Sequence, residues 1–153
     1  MDEKKPIKIY LASPLNKNRR KAMFKAVEIL RKKCYEVYNP LEHKVINAWD
    51  LKNSEWGFAV FIHDTDAILA SDFVVSLNYG RTKTTSGTSL EQGMAFMAGE
   101  LFGKPKVILV EMTDNVQSVM NANARYATIK GLAELEKYDF ANPKPLRVET
   151  EQK

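Results

Sequence analysis

Four short apolar runs, separated by segments of helical periodicity, constrain this chain more than any other feature. The runs are Ile7-Lys-Ile-Tyr-Leu-Ala12, Tyr35-Glu-Val-Tyr38, Asp72-Phe-Val-Val-Ser-Leu77 and Lys106-Val-Ile-Leu-Val110. Ser13-Pro14 stops the first and Asn39-Pro40 the second, as expected of strands that end in turns. Residues 17–33 place Ala22, Met23, Ala26, Val27, Ile29 and Leu30 at helical spacing. A second helix is predicted from an N-cap at Ser54 to Ala70, with Trp56, Val60, Phe61, Ala67 and Ile68 on its apolar side. A third covers 88–102, and helical stretches lie near 115–123 and 129–137. Strands alternating with helices build a parallel sheet covered on both faces. Strands that are apolar throughout are what such double burial requires.

Composition narrows the class. The chain has 153 residues, 44% hydrophobic and 27% charged, which fits one domain and excludes disorder as the main state. No apolar run approaches the roughly 20 residues of a membrane span. The start, MDEKKPIKIY, has no apolar signal-peptide core. Cys34 is the only cysteine, so no internal disulfide forms, and a reducing cytoplasm is expected. The net charge of +4 comes from residues 1–50, mostly Lys17-Asn-Arg-Arg-Lys21 and Arg31-Lys-Lys33 on one helix. No aromatic residue interleaves with these cations, so a solvated helix face is favoured over a nucleic-acid surface. No repeat or linker divides residues 1–153, and the proline-containing tail after about 141 is expected to pack loosely.

In sheets of this kind ligands bind beyond the carboxyl ends of the strands. That rule points to Tyr10–Pro14, Asn39–Asp50 and Asn78–Glu91. The last is the richest: Tyr79-Gly-Arg-Thr-Lys-Thr-Thr-Ser-Gly-Thr-Ser-Leu-Glu91-Gln-Gly93 turns from strand to helix through hydroxyls, Gly87 and two cations. It lacks the glycine spacing of a Walker or dinucleotide-binding loop. Glu91 has two readings here. Thr88-Ser-Leu-Glu91 has the form of a capping box, with Glu91 bonding the helix cap. Alternatively Glu91 is a nucleophile or base on the pocket floor. Asp64 lies beside the apolar stripe of its helix, either as a half-buried acid of raised pKa or as a surface acid near His63 and Asp66. Asp72 opens a strand and is read as a cap or turn residue.

The order and spacing of several short motifs resemble the nucleoside 2-deoxyribosyltransferase family. They are Ile-Tyr-Leu-Ala-Ser-Pro near the start, Tyr-Asn-Pro after the first helix, Asp64 with Asp72 eight residues later, and Ser-Gly-Thr-x-x-Glu-x-Gly-x-Ala. The resemblance is good over residues 6 to 112 and looser beyond. It implies a retaining double displacement at the anomeric carbon of a 2′-deoxynucleoside, in which Glu91 forms a glycosyl ester. Asp64 is implied as the general acid and later base, and Tyr10 as the residue that orients Glu91. No metal or organic cofactor is implied. The partners are a 2′-deoxynucleoside or deoxynucleotide and a free nucleobase, without membrane or nucleic acid. A homo-oligomer, dimer or higher, with shared active sites is also implied. The expected fold is three-layer α/β, flavodoxin- or Rossmann-like, with a parallel five-stranded sheet and helices on both faces.

The sugar end departs from the transferase pattern. Transferases of the family usually carry Asp six residues before the nucleophile to bind the 5′-hydroxyl, and here that position is Thr85. The usual Asn-x-Met from a neighbouring subunit aligns with Ser118-Val-Met120, while Asn121-Ala-Asn123 is a competing alignment that keeps the Asn. Hydroxyls at these places, with Arg81, Lys83, Ser86 and Gly87, resemble the family's nucleoside 5′-monophosphate N-glycosidases, which use water as acceptor. Three functions therefore stand: a transferase, a 2′-deoxynucleoside 5′-monophosphate N-hydrolase, and a non-catalytic nucleotide-binding module. His43, Lys44, Asn47 and Trp49 are candidates to line a base pocket. Trp49 is readable either as a stacking ring or as a packing residue, and His43 as a solvated loop residue.

Overall fold

The computed structural model describes residues 3–43, 45 and 48–145. Five strands form one sheet: β1 (Lys8–Ala12), β2 (Glu36–Tyr38), β3 (Phe73–Asn78), β4 (Lys106–Glu111) and β5 (Ala127–Lys130). Their order is β2-β1-β3-β4-β5 and every neighbouring pair is parallel. The helices are α1 (Lys17–Lys32), α2 (Asn53–Ala70), α3 (Ser86–Phe102), α4 (Val119–Asn123) and α5 (Gly131–Lys137).

The two-residue period of the strands sorts the core into two layers. Ile9, Leu11, Phe73, Val75, Leu77, Ile108 and Val110 pack against Met23, Ala26, Val27 and Leu30 of α1 and Leu135 of α5. Tyr10, Ala12, Val74 and Val107 point the other way, onto Ile68 of α2 and Ala95 of α3. The sheet is thus sandwiched between α1 with α5 and α2 with α3, which is the three-layer arrangement expected. Phe140 closes the first layer, edge-on to Tyr35, Phe73 and Tyr138 at 4.9–5.3 Å between ring centres. Beyond it, the hydroxyls of Tyr126 and Tyr138 donate to the carbonyls of Pro143 and Lys144.

Several boundaries differ from the sequence pattern. The stretch read as helical over 129–137 is a strand followed by a helix. Thr128 and Ile129 pair with the open edge of β4, and Gly131, at φ 67°, turns the chain into α5. The helix expected near 115–123 is a single turn that begins after Ser118. Helix α2 starts at Asn53 rather than after Ser54, and the amide of Lys52 donates to Glu55 Oε2 at 3.1 Å. The apolar side expected for α2 is not buried as a whole. Ile68 is covered, but Trp56 and Phe61 are nearly half exposed. Apolar residues surround this helix, and one stripe suffices to meet the sheet.

Asp72 has the structural role read for it. Its carboxylate accepts from the Lys8 amide at 2.9 Å, its amide donates to the Lys8 carbonyl, and its carbonyl accepts from the Lys106 amide. It fastens the amino ends of β1, β3 and β4, opposite the edge where ligands are expected. Among the described residues no helix is long and apolar enough to cross a membrane.

Candidate active site

Parallel register sets Tyr10 of β1 beside Tyr38 of β2. Both side chains leave the sheet on the side of α2 and α3, and their rings stack at 5.3 Å and 13°. His43, which follows a 3-10 turn at Pro40–Glu42, stacks on Tyr38 at 4.0 Å and 7°. It joins the aromatic run while its side chain stays exposed, as the solvated-loop reading has it.

Asp64 reaches this run from α2. It lies one turn before buried Ile68, on the face that meets the sheet. Tyr38 Oη donates to Asp64 Oδ1 at 3.2 Å. Burial pushes the Asp64 carboxyl above the usual carboxylate range, while the Tyr38 bond and then the nearby His63 and His43 pull it back.

Glu91 arrives from α3. The helix begins at Ser86, with Thr85 as its N-cap; Thr85 Oγ1 accepts from the Thr88 amide at 3.4 Å and lies 2.9 Å from Thr88 Oγ1. Of the two readings of Glu91, the capping box at Thr88 to Glu91 does not form, because the cap is Thr85. Glu91 is deeper in the helix, beyond reach of the cap, and faces the aromatic run. Burial raises its carboxyl to about 8, the charge of Asp64 adds to this, and the Tyr10 hydroxyl offsets part of it. The Tyr10 hydroxyl itself is buried, makes no hydrogen bond of regular geometry, and stays protonated because of its burial and the charges of Glu91 and Asp64. It is a donor poised over Glu91. Glu91, Asp64 and Tyr10 thus share one electrostatic site.

A buried polar network sets the rotation of α3. Gln92 Oε1 accepts from Ser76 Oγ at 3.0 Å and from Asn78 Nδ2 at 3.1 Å. Gln92 Nε2 donates to the carbonyls of Asn121 and Ala124. With Gln92 turned into the protein, the neighbouring Glu91 is held on the shoulder of the helix that faces Tyr10 and Asp64.

The remaining candidates fall in three places. Ser86 and Gly87 form the exposed first turn of α3, and a Cβ at Gly87 would meet open space, so nothing there demands glycine. Ser118 caps α4 by accepting from the Asn121 amide at 3.2 Å. Met120 is 79% exposed, and Asn123 Nδ2 donates to the Val119 carbonyl of its own turn. Asn121 is buried. Both its amide hydrogens are engaged inside its own chain, by Asn78 Oδ1 at 3.2 Å and Ser89 Oγ at 2.9 Å. Trp49 is fully exposed within this chain. Lys44 and Asn47 lie outside the described residues.

Sequence reasoning missed Tyr38 and Gln92 as parts of the site. Tyr38 stood in the Tyr-Asn-Pro motif without a role. Only the pairing of β1 with β2 puts it beside Tyr10. Gln92 carried a weak signal, four residues after Thr88 and three before Ala95 on the buried face. Among the described residues, no three His, Cys, Asp or Glu side chains gather into a metal site.

Relatives carry the same scaffold. The family model for nucleoside 2-deoxyribosyltransferases matches residues 9–144. A 2-deoxyribosyltransferase from the psychrotolerant bacterium Bacillus psychrosaccharolyticus superposes with a TM-score of 0.71 at 30% identity, covering 90% of this chain and 98% of that one. A conserved protein from Enterococcus faecalis V583 shares the fold, with a TM-score of 0.59 at 23% identity over 94% of this chain and 92% of that one. No curated protein matches the chain. The family match over most of the length, together with the transferase that shares nearly a third of its residues, shows that this chain belongs to the nucleoside 2-deoxyribosyltransferase family.

Proposed function

We propose that the protein transfers 2-deoxyribose between nucleobases through a glycosyl ester on Glu91. The observation that carries this reading is the convergence of Glu91, Asp64 and Tyr10 from three elements into one electrostatic site. In the first half, the Glu91 carboxylate attacks C1′ and the C–N bond breaks. Its electron pair leaves with the base, which takes a proton from Asp64. In the second half, Asp64 removes a proton from the incoming base, whose nitrogen attacks C1′ and expels the Glu91 carboxylate. Two inversions give retention. Tyr10 would donate to Glu91 and steady the carboxylate as its charge changes.

One observation favours hydrolysis of 2′-deoxynucleoside 5′-monophosphates as a second reading. The first turn of α3 carries no acidic residue, and its cap is the neutral hydroxyl of Thr85. An uncompensated helix start attracts anions, and Arg81 and Lys83 precede it. Water then replaces the acceptor base.

We also infer a homo-oligomer. Phe58, Phe61 and Leu69 of α2 and Leu101 and Phe102 of α3 expose 47–72% of their surface on the same side of the sheet. Apolar area of this kind marks an interface, and exposed Met120 would then face a neighbouring subunit.

Product chromatography tests these readings. The protein is incubated with 2′-deoxynucleosides and, separately, with their 5′-monophosphates, each with and without a second base. A new nucleoside formed from an unphosphorylated donor supports the transferase. Free base and deoxyribose 5-phosphate released from monophosphates alone would replace it with the hydrolase. Glu91→Ala should abolish either reaction, and a wild-type protein that binds nucleotides but cleaves none, with binding unchanged in Glu91→Gln, would leave only the non-catalytic module.

A further inference from the structure

We propose that Tyr38 is a positioning residue for proton transfer, holding Asp64 so that the transferred proton travels on Oδ2. The inference rests on the acid–base role given to Asp64 above. Tyr38 Oη donates to Asp64 Oδ1 at 3.2 Å, so that oxygen already accepts one hydrogen. The donor is rigid. Its ring is stacked on Tyr10 at 5.3 Å and on His43 at 4.0 Å, and its backbone is paired in register with β1. Burial and the Asp64 charge keep the hydroxyl protonated, with its pKa pushed up to about 12, so it donates across the working range. Oδ2 is left to carry the proton to the ring nitrogen of the departing base, and to receive one from the incoming base. Tyr38 neither gains nor loses a proton over the cycle.

The pairing divides labour between the stacked tyrosines. Tyr10 faces Glu91 and Tyr38 faces Asp64, one hydroxyl for each carboxyl. The groups around Asp64 come from every element packed there: Tyr38 from β2, His43 after it, His63 on α2, Glu91 on α3 and Tyr10 on β1.

Tyr38→Phe keeps the ring and removes the donor. Carbon-13 titration of the Asp64 carboxyl, read without substrate, should show its midpoint moving to higher pH in the variant. The kcat should fall about ten- to a hundredfold, the scale of a lost hydrogen bond to a charged group. KM should move far less. The limb of the pH–rate profile that belongs to Asp64 should shift upward with the titration. A lower melting temperature with an unchanged midpoint and unchanged profile would mean a purely structural tyrosine and overturn the proposal. An unchanged kcat would overturn it too. If Tyr38→Phe does not fold, the Tyr38 hydroxyl can be titrated in wild type and in Asp64→Asn. Its pKa should drop when the carboxylate is lost, and no drop overturns the pairing. A wild-type protein that cleaves no deoxynucleoside or deoxynucleotide sinks the reading of the previous subsection, and with it the proton path, whereas the titration separately decides the Tyr38–Asp64 pairing.

Discussion

A carboxylate that attacks carbon works only when ionised, and Glu91 sits where ionisation is unfavourable. With its carboxyl raised to about 8, the free protein holds Glu91 largely protonated at pH 6. Glu91 must be ionised while Asp64 is protonated, so we expect a bell-shaped kcat/KM profile that falls toward both acid and alkaline pH, and a pH–rate profile without an alkaline limb would contradict this. The same shift acts on stability. Between its ordinary value of 4.5 and about 8, the folded protein keeps a proton that the unfolded chain has lost. More protons bound to the folded form means that stability falls as pH rises through this window. Glu91→Gln should flatten that slope and unfold at higher temperature than wild type at pH 8, as thermal denaturation at several pH values would show. Asp64 and Glu91 were legible in the sequence only through the company they keep. A carboxylate three residues after a threonine looks like a cap, and no local rule reveals that the helix starts earlier, at Ser86.

Helix α3 depends on one side chain for its orientation. Gln92 joins β3 to α4 through four hydrogen bonds while lying 1% exposed. Replacing it with Leu fills much of the volume and leaves Ser76, Asn78 and two carbonyls short of partners. We expect a loss of about 2–4 kcal/mol in urea denaturation, with a fall in turnover as Glu91 loses its bearing on Tyr10. Wild-type stability in Gln92→Leu would show that the network contributes nothing net. The elements themselves were largely readable, because apolar runs and helical spacing are local signals. Strand β5 was not. It is four residues long and gains its identity from pairing with β4. A pattern that continues straight into α5 reads as helix until the edge of β4 is known to be free.

At the scale of the whole molecule, alternation alone implied a parallel sheet covered on both faces, and the chain folds that way. The meeting of β1, β2, α2 and α3 at one place was not legible from alternation, since alternation leaves the order of the strands in the sheet open. The outer side of α2 is the part of the molecule least explained by its own chain. Phe58, 66% exposed, should be covered by a second copy if the protein assembles as proposed. Phe58→Glu should then lower the mass measured by gel filtration with light scattering, and reduce activity at low protein concentration. A wild-type protein that runs as an active monomer would refute the assembly.

Asp72 fastens three strands at the end of the sheet away from Glu91. The opposite margin is tied by other means: Thr113 Oγ1 and Asn115 Nδ2, after β4, both donate to the Tyr79 carbonyl after β3. The strands are thus kept in order by a joint at Asp72 that takes up none of the space where Glu91, Asp64 and Tyr10 meet.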